Sequence, residues 1–215
     1  MKNIAIIGAG GFGREVKMIL DDSNARVAEY HFVGFYDDGF EKGTLVNGYP
    51  VLGGVEDLNL VSENLSVALG IGDPKTKLKI IQKITNPKID YPTLIHPGAI
   101  VGSDQITIGQ GTIICAGCIL TCNIDIAEFV TLNLMCTVGH DTQIEAYASF
   151  MPAVNISGEV KIAREVYVGT GAKIINQLEI GAETIIGAGA VVAKTLPEKC
   201  TAVGIPAKPI KFHKQ

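Results

Sequence analysis

The sequence predicts two domains, an α/β half-Rossmann domain followed by a parallel β-solenoid of hexapeptide repeats, and two patterns carry this prediction. An aliphatic or aromatic residue occupies every sixth position from Ile108 to Val192 without interruption. A period of six fits neither a helix nor an alternating strand, but a solenoid requires it when each short strand ends at a corner. Upstream, a short apolar strand leads into a glycine-rich turn and a helical pattern, as in a βαβ unit. We place the two domains at residues 1–90 and 91–215.

The predicted strands of the first domain alternate with helices and end in glycine or aspartate. A glycine-rich turn after the first strand brings backbone N–H groups and a helix N-terminus to one place, which favours phosphate binding. The spacing Gly8-x-Gly10-x-x-Gly13, with Asp37 further on, formally matches a dinucleotide fingerprint. A full dinucleotide site uses two such halves, and the solenoid begins too early for a second one. We therefore expect a nucleotide-linked substrate; an NAD-binding protein and a purely structural turn are the alternatives. The predicted strands are Lys2–Ile7, His31–Tyr36 and Leu65–Leu69, and the helices are 14–20 and 75–84.

The solenoid residues fall into two inward-facing classes. The second class follows each large residue by four positions and is mostly small or β-branched, with Ile124 and Leu178 as bulkier exceptions. An alternating β-sandwich would need turn signals about every 8–12 residues and would not hold this register. Each repeat buries its apolar face only against its neighbours, so both ends need caps. We expect the first domain and the tail at 204–209 to supply them. The large class is Ile108, Ile114, Leu120, Ile126, Leu132, Val138, Ile144, Phe150, Ile156, Ile162, Val168, Ile174, Ile180, Ile186 and Val192.

Composition excludes several classes of function. The net charge is −4 and no long basic run occurs, which argues against a nucleic-acid partner. The start lacks a signal-peptide core, and no apolar stretch is long enough to span a bilayer, so we expect a cytoplasmic protein. The five cysteines follow no zinc or disulfide framework, and Cys118 and Cys136 are spaced to stack in the core. We expect no metal.

Several motifs in a fixed order resemble one family over nearly the whole chain. Ile6 to Gly13 reads IIGAGGFG, Phe35 to Asp38 reads FYDD, PVLG starts at Pro50, and Gly139-His-Asp141 lies within the solenoid. This arrangement resembles the sugar O/N-acyltransferases of the sialic acid O-acetyltransferase, bacillosamine N-acetyltransferase and perosamine N-acetyltransferase group. The resemblance implies a left-handed parallel β-helix in which three hexapeptides form a coil and residues eighteen apart stack. Fifteen repeats then give about five coils, and a sixth, irregular coil precedes them with one extra residue between 103 and 107.

His140 is the candidate general base, and Asp141 is suited to orient it. An amine or hydroxyl that attacks a thioester loses a proton, and a neutral histidine beside a carboxylate accepts it at neutral pH. The resembled family carries a catalytic histidine followed by Glu or Asp at this motif. Gly158 follows eighteen residues later, where it leaves space beside the imidazole and offers an N–H to an oxyanion. A surface His–Asp pair and a glycine needed only for a corner are the alternatives.

The resemblance also implies acetyl-CoA as co-substrate and a homotrimer with its active sites between solenoids. Its pantetheine groove falls on the column of Pro152, Thr170 and Ala188. Lys194 and Lys208 then lie near the CoA phosphates, with a solvated basic tail as the alternative. Ser149 occupies the position where family members often carry a second histidine, so we expect it to contact CoA without acting as an acid. The candidate substrate-binding residues are Gly10, Gly11, Phe12, Asp37, Asp38, Gly70 and Asn133.

The resulting prediction is an acetyl-CoA-dependent N-acetyltransferase that acts on a nucleotide-linked 4-amino-4,6-dideoxy sugar. We expect direct transfer, because no activated serine or cysteine lies beside His140 and Cys122, one coil below, is the only rival nucleophile. A sugar or sialic acid O-acetyltransferase is the nearest alternative. A non-catalytic solenoid scaffold and an NAD-binding protein are more distant ones. The sequence leaves the base (UDP, GDP or dTDP) and the sugar stereochemistry open.

Overall fold

The computed structural model describes residues 1–213 and divides into two compact units, Met1–Pro97 and the chain from Gly98 onward. The boundary falls later than the one expected after residue 90. The strand Ile89–Asp90 pairs in parallel with Leu65 and Ser66, and it thereby extends the sheet of the first unit. Within residues 1–213, no helix is long and apolar enough to cross a membrane.

The first unit is a six-stranded sheet with the central strand order of a βαβ fold. Its order is β3 (Leu45–Val46), β4 (Tyr49–Gly53), β2 (Tyr30–Tyr36), β1 (Lys2–Ile7), β5 (Leu65–Leu69) and β6 (Ile89–Asp90), and β1 pairs in parallel with both β2 and β5. The predicted strands and helices are all present, joined by a β3–β4 hairpin that the sequence analysis missed. That hairpin turns at Asn47 and Gly48, both with positive φ, as expected for an Asn-Gly turn. The elements are β1 (Lys2–Ile7), α1 (Gly11–Arg26), β2 (Tyr30–Tyr36), β3 (Leu45–Val46), β4 (Tyr49–Gly53), a 3₁₀ helix (Val55–Leu60), β5 (Leu65–Leu69), α2 (Pro74–Lys83), β6 (Ile89–Asp90) and β7 (Leu94–Ile95).

The glycine-rich turn brings α1 against the end of β1. A Cβ at Gly13 would lie 1.8 Å from the carbonyl oxygen of Gly8, and a Cβ at Gly70 would lie 2.4 Å from the Cα of Gly13. These glycines are therefore required by backbone packing.

The helix α2 starts at a cap in which Asp73 accepts the backbone N–H of Thr76 at 2.8 Å.

The second unit is a parallel β-helix whose short strands form three sheets. Within this unit the sheet orders are β25-β24-β22-β19-β16-β13-β10, β23-β20-β17-β14-β11-β8 and β21-β18-β15-β12-β9. The strands are β8 (Ile100–Val101), β9 (Ile106–Ile108), β10 (Ile113–Ile114), β11 (Ile119–Leu120), β12 (Ile124–Ile126), β13 (Thr131–Leu132), β14 (Thr137–Val138), β15 (Gln143–Ile144), β16 (Ser149–Phe150), β17 (Asn155–Ile156), β18 (Lys161–Ile162), β19 (Tyr167–Val168), β20 (Lys173–Ile174), β21 (Glu179–Ile180), β22 (Ile185–Ile186), β23 (Val191–Val192), β24 (Cys200–Gly204) and β25 (Ala207–Phe212).

Strand pairing confirms the predicted register. Ile114 pairs with Leu132 and Leu132 pairs with Phe150, so residues eighteen apart stack as expected. Val101 pairs instead with Leu120, nineteen residues away, while the following strand has returned to a spacing of eighteen. The extra residue therefore lies between these two strands, where the irregular first coil was predicted.

The interior of the β-helix is formed by the two predicted classes of inward-facing residues. From Ile114 to Val192, every large residue of the period-six series is at most 3% exposed. The inward threonines satisfy their hydroxyls on backbone carbonyls; the hydroxyl of Thr112 donates to Ala127 at 3.0 Å and that of Thr184 to Pro197 at 2.7 Å. Towards the C-terminal end, β24 pairs with β22, and Ala202 and Ala207 join the core, as expected of a capping tail.

Candidate active site

His140 and Asp141 lie at the corner between β14 and β15, where the backbone is held by the coils on either side. The Asp141 N–H donates to the carbonyl of Cys122 one coil below at 3.2 Å, and the Glu159 N–H donates to the carbonyl of His140 at 2.8 Å. Asp141 adopts left-handed backbone geometry with φ of 57°, which aspartate tolerates better than most residues. The corner therefore presents both side chains on a fixed backbone.

The two side chains form a short hydrogen-bonded pair that stays open to solvent. The Nδ1 atom of His140 lies 2.6 Å from Oδ2 of Asp141, and the side chains are 56% and 49% exposed. Asn123 donates its side-chain N–H to the other oxygen, Oδ1, at 3.0 Å. Hydrogen bonds from His140 and then from Asn123 lower the pKa of Asp141. An ionised carboxylate only accepts, so the neutral imidazole carries its proton on Nδ1 and leaves Nε2 with a free lone pair.

Gly158 lies directly against the imidazole, one coil further on. A Cβ at this position would lie 2.5 Å from Nε2 and 2.6 Å from Cε1 of His140. The φ of Gly158 lies outside the left-handed region, so the corner itself does not require glycine here. Its backbone N–H donates to no backbone carbonyl within residues 1–213. The glycine therefore makes room for the ring.

The residues of the column that was predicted to contact CoA stack on the surface of the solenoid. The N–H of Gly171 donates to the carbonyl of Pro152 at 2.9 Å, and that of Gly189 to the carbonyl of Thr170 at 2.8 Å, which stacks Pro152, Thr170 and Ala188. Thr170 and Ala188 are exposed, and so are Lys194 and Lys208. This column follows the first sheet, whereas the His140 corner follows the second, so one strand of the coil separates the two within a chain.

Two predicted ligand contacts are buried in the chain. Ser149 is 0% exposed, and its hydroxyl is the one buried side-chain polar atom within residues 1–213 that has no hydrogen-bond partner. Asn133 is 6% exposed, and its side-chain oxygen accepts the N–H of Leu134 at 2.7 Å. The side chain of Ser149 is closed to a ligand on the surface of this chain, and Asn133 exposes only 6% of its surface to one. The expectation that Ser149 contacts CoA is therefore not supported by its burial.

The aspartates at the end of β2 bind the protein's own backbone. Asp37 accepts the Ala9 N–H at 2.7 Å and the Gly39 N–H at 2.8 Å, one on each carboxylate oxygen. Asp38 accepts the Val55 N–H at 2.7 Å. These bonds tie the glycine-rich turn and the 3₁₀ helix to the end of β2. Both carboxylates thus have a structural role that the sequence analysis did not foresee.

The glycines that were predicted to bind substrate separate into two groups. Gly70 is buried and is explained by its contact with Gly13. A Cβ at Gly10 or Gly11 would meet no atom within 4 Å, and neither residue has a positive φ. Gly10 caps α1 without a side-chain hydrogen bond, and the neighbouring Phe12 is half-buried. Only at Gly10 and Gly11 does the turn leave open space beside a helix N-terminus.

Comparison with known proteins decides the family. The sequence profile of the PglD N-terminal domain matches residues 3–84. GDP-perosamine N-acetyltransferase from Escherichia coli O157:H7 is 32% identical over 217 residues, which cover 98% of this chain and 97% of that protein. The chain belongs to this family of sugar acyltransferases. It is an acetyltransferase, and the predicted resemblance is confirmed.

Solved structures of family members share the whole fold. Perosamine N-acetyltransferase from Caulobacter crescentus, as a histidine-to-asparagine variant in complex with CoA and GDP-perosamine, is 29% identical with a TM-score of 0.90, covering 98% of each chain. The acetyltransferase domain of PglB from Neisseria gonorrhoeae FA1090, in complex with acetyl coenzyme A, is 30% identical with a TM-score of 0.87. That alignment covers 97% of this chain and 99% of the other. The predicted α/β domain followed by a left-handed β-helix is thereby confirmed.

Asn123 is the residue of the site that the sequence analysis missed. It precedes Asp141 by eighteen residues, so the stacking period alone places it one coil below the carboxylate. Among residues 1–213, no group of three or more potential metal ligands occurs.

Proposed function

We propose that this enzyme transfers the acetyl group of acetyl-CoA to the amino group of a nucleotide-linked 4-amino-4,6-dideoxy sugar, with His140 as the general base. The observation that carries the proposal is the 2.6 Å contact between Nδ1 of His140 and Asp141 at an exposed corner, which directs the proton of the neutral imidazole to Nδ1 and leaves Nε2 as the acceptor. The full-length relative is an N-acetyltransferase for GDP-perosamine, and the Caulobacter structure contains CoA and GDP-perosamine. GDP-perosamine is therefore the first acceptor to test.

The chemistry assigned to these residues is a direct transfer. As the acceptor nitrogen forms its bond to the thioester carbon, Nε2 of His140 takes the proton from that nitrogen. Asp141 stabilises the imidazolium that results and keeps the ring in place. When the C–S bond breaks, the imidazolium returns the proton to the departing sulfur, so that free CoA thiol and the sugar amide are the products. The N–H of Gly158, which has no backbone acceptor, is the assigned donor to the oxyanion.

The first unit is assigned to the nucleotide part of the acceptor. The backbone N–H groups at the start of α1 and the open space at Gly10 and Gly11 suit a phosphate that approaches the main chain closely. Asp37 and Asp38 serve this site indirectly, because their carboxylates hold the turn and the 3₁₀ helix. A ribose-binding acid in an NAD enzyme would instead direct its carboxylate to the ligand.

We assign acetyl-CoA to the column of Thr170 and Ala188, and we assign Lys194 and Lys208 to bind its phosphates. Because this column and His140 lie at different corners, we assign the complete site to two neighbouring copies in a homotrimer. The second sheet, which runs between these corners, exposes Ile100 (63%) and Ile119 (40%), and Met135 at its edge is 62% exposed. Exposed apolar side chains in one region favour association with another copy.

The experiment is a screen of UDP-, GDP- and dTDP-linked 4-amino-4,6-dideoxy sugars with acetyl-CoA, in which thiol release is followed by absorbance and the product by mass spectrometry. Matched sugars with a 4-hydroxyl group in place of the amine separate N-acetylation from O-acetylation. We expect thiol release with at least one amino sugar and none with its hydroxyl counterpart. Thiol release with the hydroxyl sugars alone, or failure of every sugar tested to cause thiol release, would refute the proposed reaction.

A further inference from the structure

A single corner column of the solenoid carries two amide–carboxylate pairs. Asn123, Asp141, Glu159 and Gln177 follow one another at intervals of eighteen residues, and all four have left-handed backbone geometry, with φ between 52° and 61°. Asn123 donates to Asp141 at 3.0 Å, and Gln177 donates to Glu159 at 3.1 Å. Each carboxylate therefore has an amide partner on the side away from the other carboxylate.

This arrangement holds both oxygens of the Asp141 carboxylate at the proposed catalytic corner. Asp141 and Glu159 lie in adjacent coils, whose backbones are about 4.8 Å apart. Asn123 donates to Oδ1 of Asp141, while the other oxygen, Oδ2, meets Nδ1 of His140. The hydrogen bond from His140 lowers the pKa of Asp141 most, and the hydrogen bond from Asn123 lowers it further.

We propose that Asn123 is a positioning residue for the acetyl-transfer site, acting on His140 through Asp141. By fixing the carboxylate, Asn123 fixes the tautomer and the direction of the imidazole, so that Nε2 is ready to accept a proton. The inference rests on the proposed function, in which His140 is the base. Gln177 makes the same type of bond from the same backbone geometry to a carboxylate that does not contact His140, and it serves as the internal control.

Paired substitutions to glycine separate a positioning role from simple support of the coil. Glycine adopts left-handed geometry without strain, so Asn123→Gly and Gln177→Gly each remove one amide and leave the corner intact. We expect Asn123→Gly to lower kcat about tenfold, as for the loss of a hydrogen bond to a charged group, with both KM values unchanged. Gln177→Gly should keep kcat within about twofold of the wild type. Equal kcat values in the two variants would overturn the inference.

An isosteric pair provides a second test in case the glycine variants fold poorly. Asn123→Asp keeps the shape of the side chain but places a negative charge against Asp141, and Gln177→Glu does the same against Glu159. The extra charge beside the His140–Asp141 pair favours the protonated ring. We expect the acid limb of the kcat/KM profile to move to higher pH in Asn123→Asp and to stay in place in Gln177→Glu. An unmoved profile in both variants would contradict the positioning role.

A readout without turnover distinguishes this inference from the proposed function. The ¹⁵N shifts of the ring nitrogens of His140, identified by their loss in His140→Ala, report the tautomer in the free protein. We expect the Nδ1–H tautomer in the wild type and in Gln177→Gly, and a mixture in Asn123→Gly. If the wild type acetylates no sugar while Asn123→Gly still changes the tautomer, the proposed function fails and the positioning by Asn123 is supported. The same tautomer in the wild type, Asn123→Gly and Gln177→Gly would overturn the positioning role of Asn123.

Discussion

Replacing Gly158 with alanine tests whether the imidazole of His140 must occupy the space that the solenoid leaves for it. The substitution adds one methyl group and keeps the backbone N–H that is assigned to the oxyanion. Because the φ of Gly158 lies outside the left-handed region, alanine is compatible with the backbone here. The thermal midpoint of unfolding should therefore change little, and the effect should fall on the ring alone.

The geometry gives the size of the effect. The new Cβ would lie 2.5 Å from Nε2 and 2.9 Å from Cδ2 of His140, closer than real Cβ contacts, whereas an ordinary contact begins at 3.4 Å. The exposed ring must move by roughly 1 Å, and a misplacement of that size in a catalytic group costs about 10²-fold in rate. We expect kcat to fall by about this factor, with KM for acetyl-CoA within about threefold of the wild type.

A double-mutant cycle shows whether the loss acts through His140. In a His140→Ala background the added methyl meets no ring, so Gly158→Ala should have no further effect on kcat. Asn176→Ala, at the same corner position one coil further on, is the matched control and should behave as the wild type. Steady-state thiol release is measured for the wild type, the two single variants, the double variant and the Asn176→Ala control. An unchanged kcat in Gly158→Ala, or equal losses with and without the imidazole, would refute the reasoning.

Three further substitutions test the other parts of the site. Asp141→Asn should lower kcat about tenfold, because it removes only the orienting charge. Since hydrogen bonds lower the pKa of Asp141, its carboxylate stabilises the folded chain at pH values above its unfolded pKa, and this contribution is lost as the pH falls through its folded pKa. The difference in Tm between the wild type and Asp141→Asn, measured by calorimetry, should therefore be present at neutral pH and vanish in acid. A difference in Tm that does not depend on pH would contradict this prediction. Cys122→Ser should keep kcat within about twofold, and mass spectrometry during turnover should find no acetylated protein; a trapped acetyl-enzyme that this substitution abolishes would rule out direct transfer. Gly11→Val should fold normally, because a Cβ at this position meets no atom within 4 Å. It should raise KM for the nucleotide sugar but not for acetyl-CoA, and loss of acetyl-CoA binding would contradict the division of roles between the units.

The solenoid could be predicted in detail because each repeat is specified locally. A residue six positions on faces inward whatever the rest of the chain does, and the one departure near Val101 shows in the sequence as an extra residue. The outward positions are different. Thr131 and Ser149 point away from the solenoid interior on the first sheet yet are at most 1% exposed, whereas Asp125 on the third sheet is exposed. The repeat is the same on each sheet, so the sequence does not tell which outward face is covered.

The site was partly predictable for the same reason. The stacking of His140 over Gly158 follows from the period, and so would the contact of Asn123 with Asp141. The roles of Asp37 and Asp38 did not follow, because their partners Ala9 and Val55 are set by how turns fold around the end of β2. Nor does sequence separate a glycine required by packing, such as Gly70, from one that faces open space.

The most direct test of the central claim is kcat/KM for acetyl transfer as a function of pH in the wild type and in His140→Ala. The acceptor is the amino sugar that the screen identifies, and acetyl-CoA binding is measured in parallel by calorimetry. If His140 is the general base, the wild-type value rises with pH as the base and the incoming amine lose their protons. His140→Ala should then lower kcat by a factor on the order of 10²–10⁴ and keep its affinity for acetyl-CoA. Full turnover by His140→Ala, with the wild-type dependence on pH, would contradict the account.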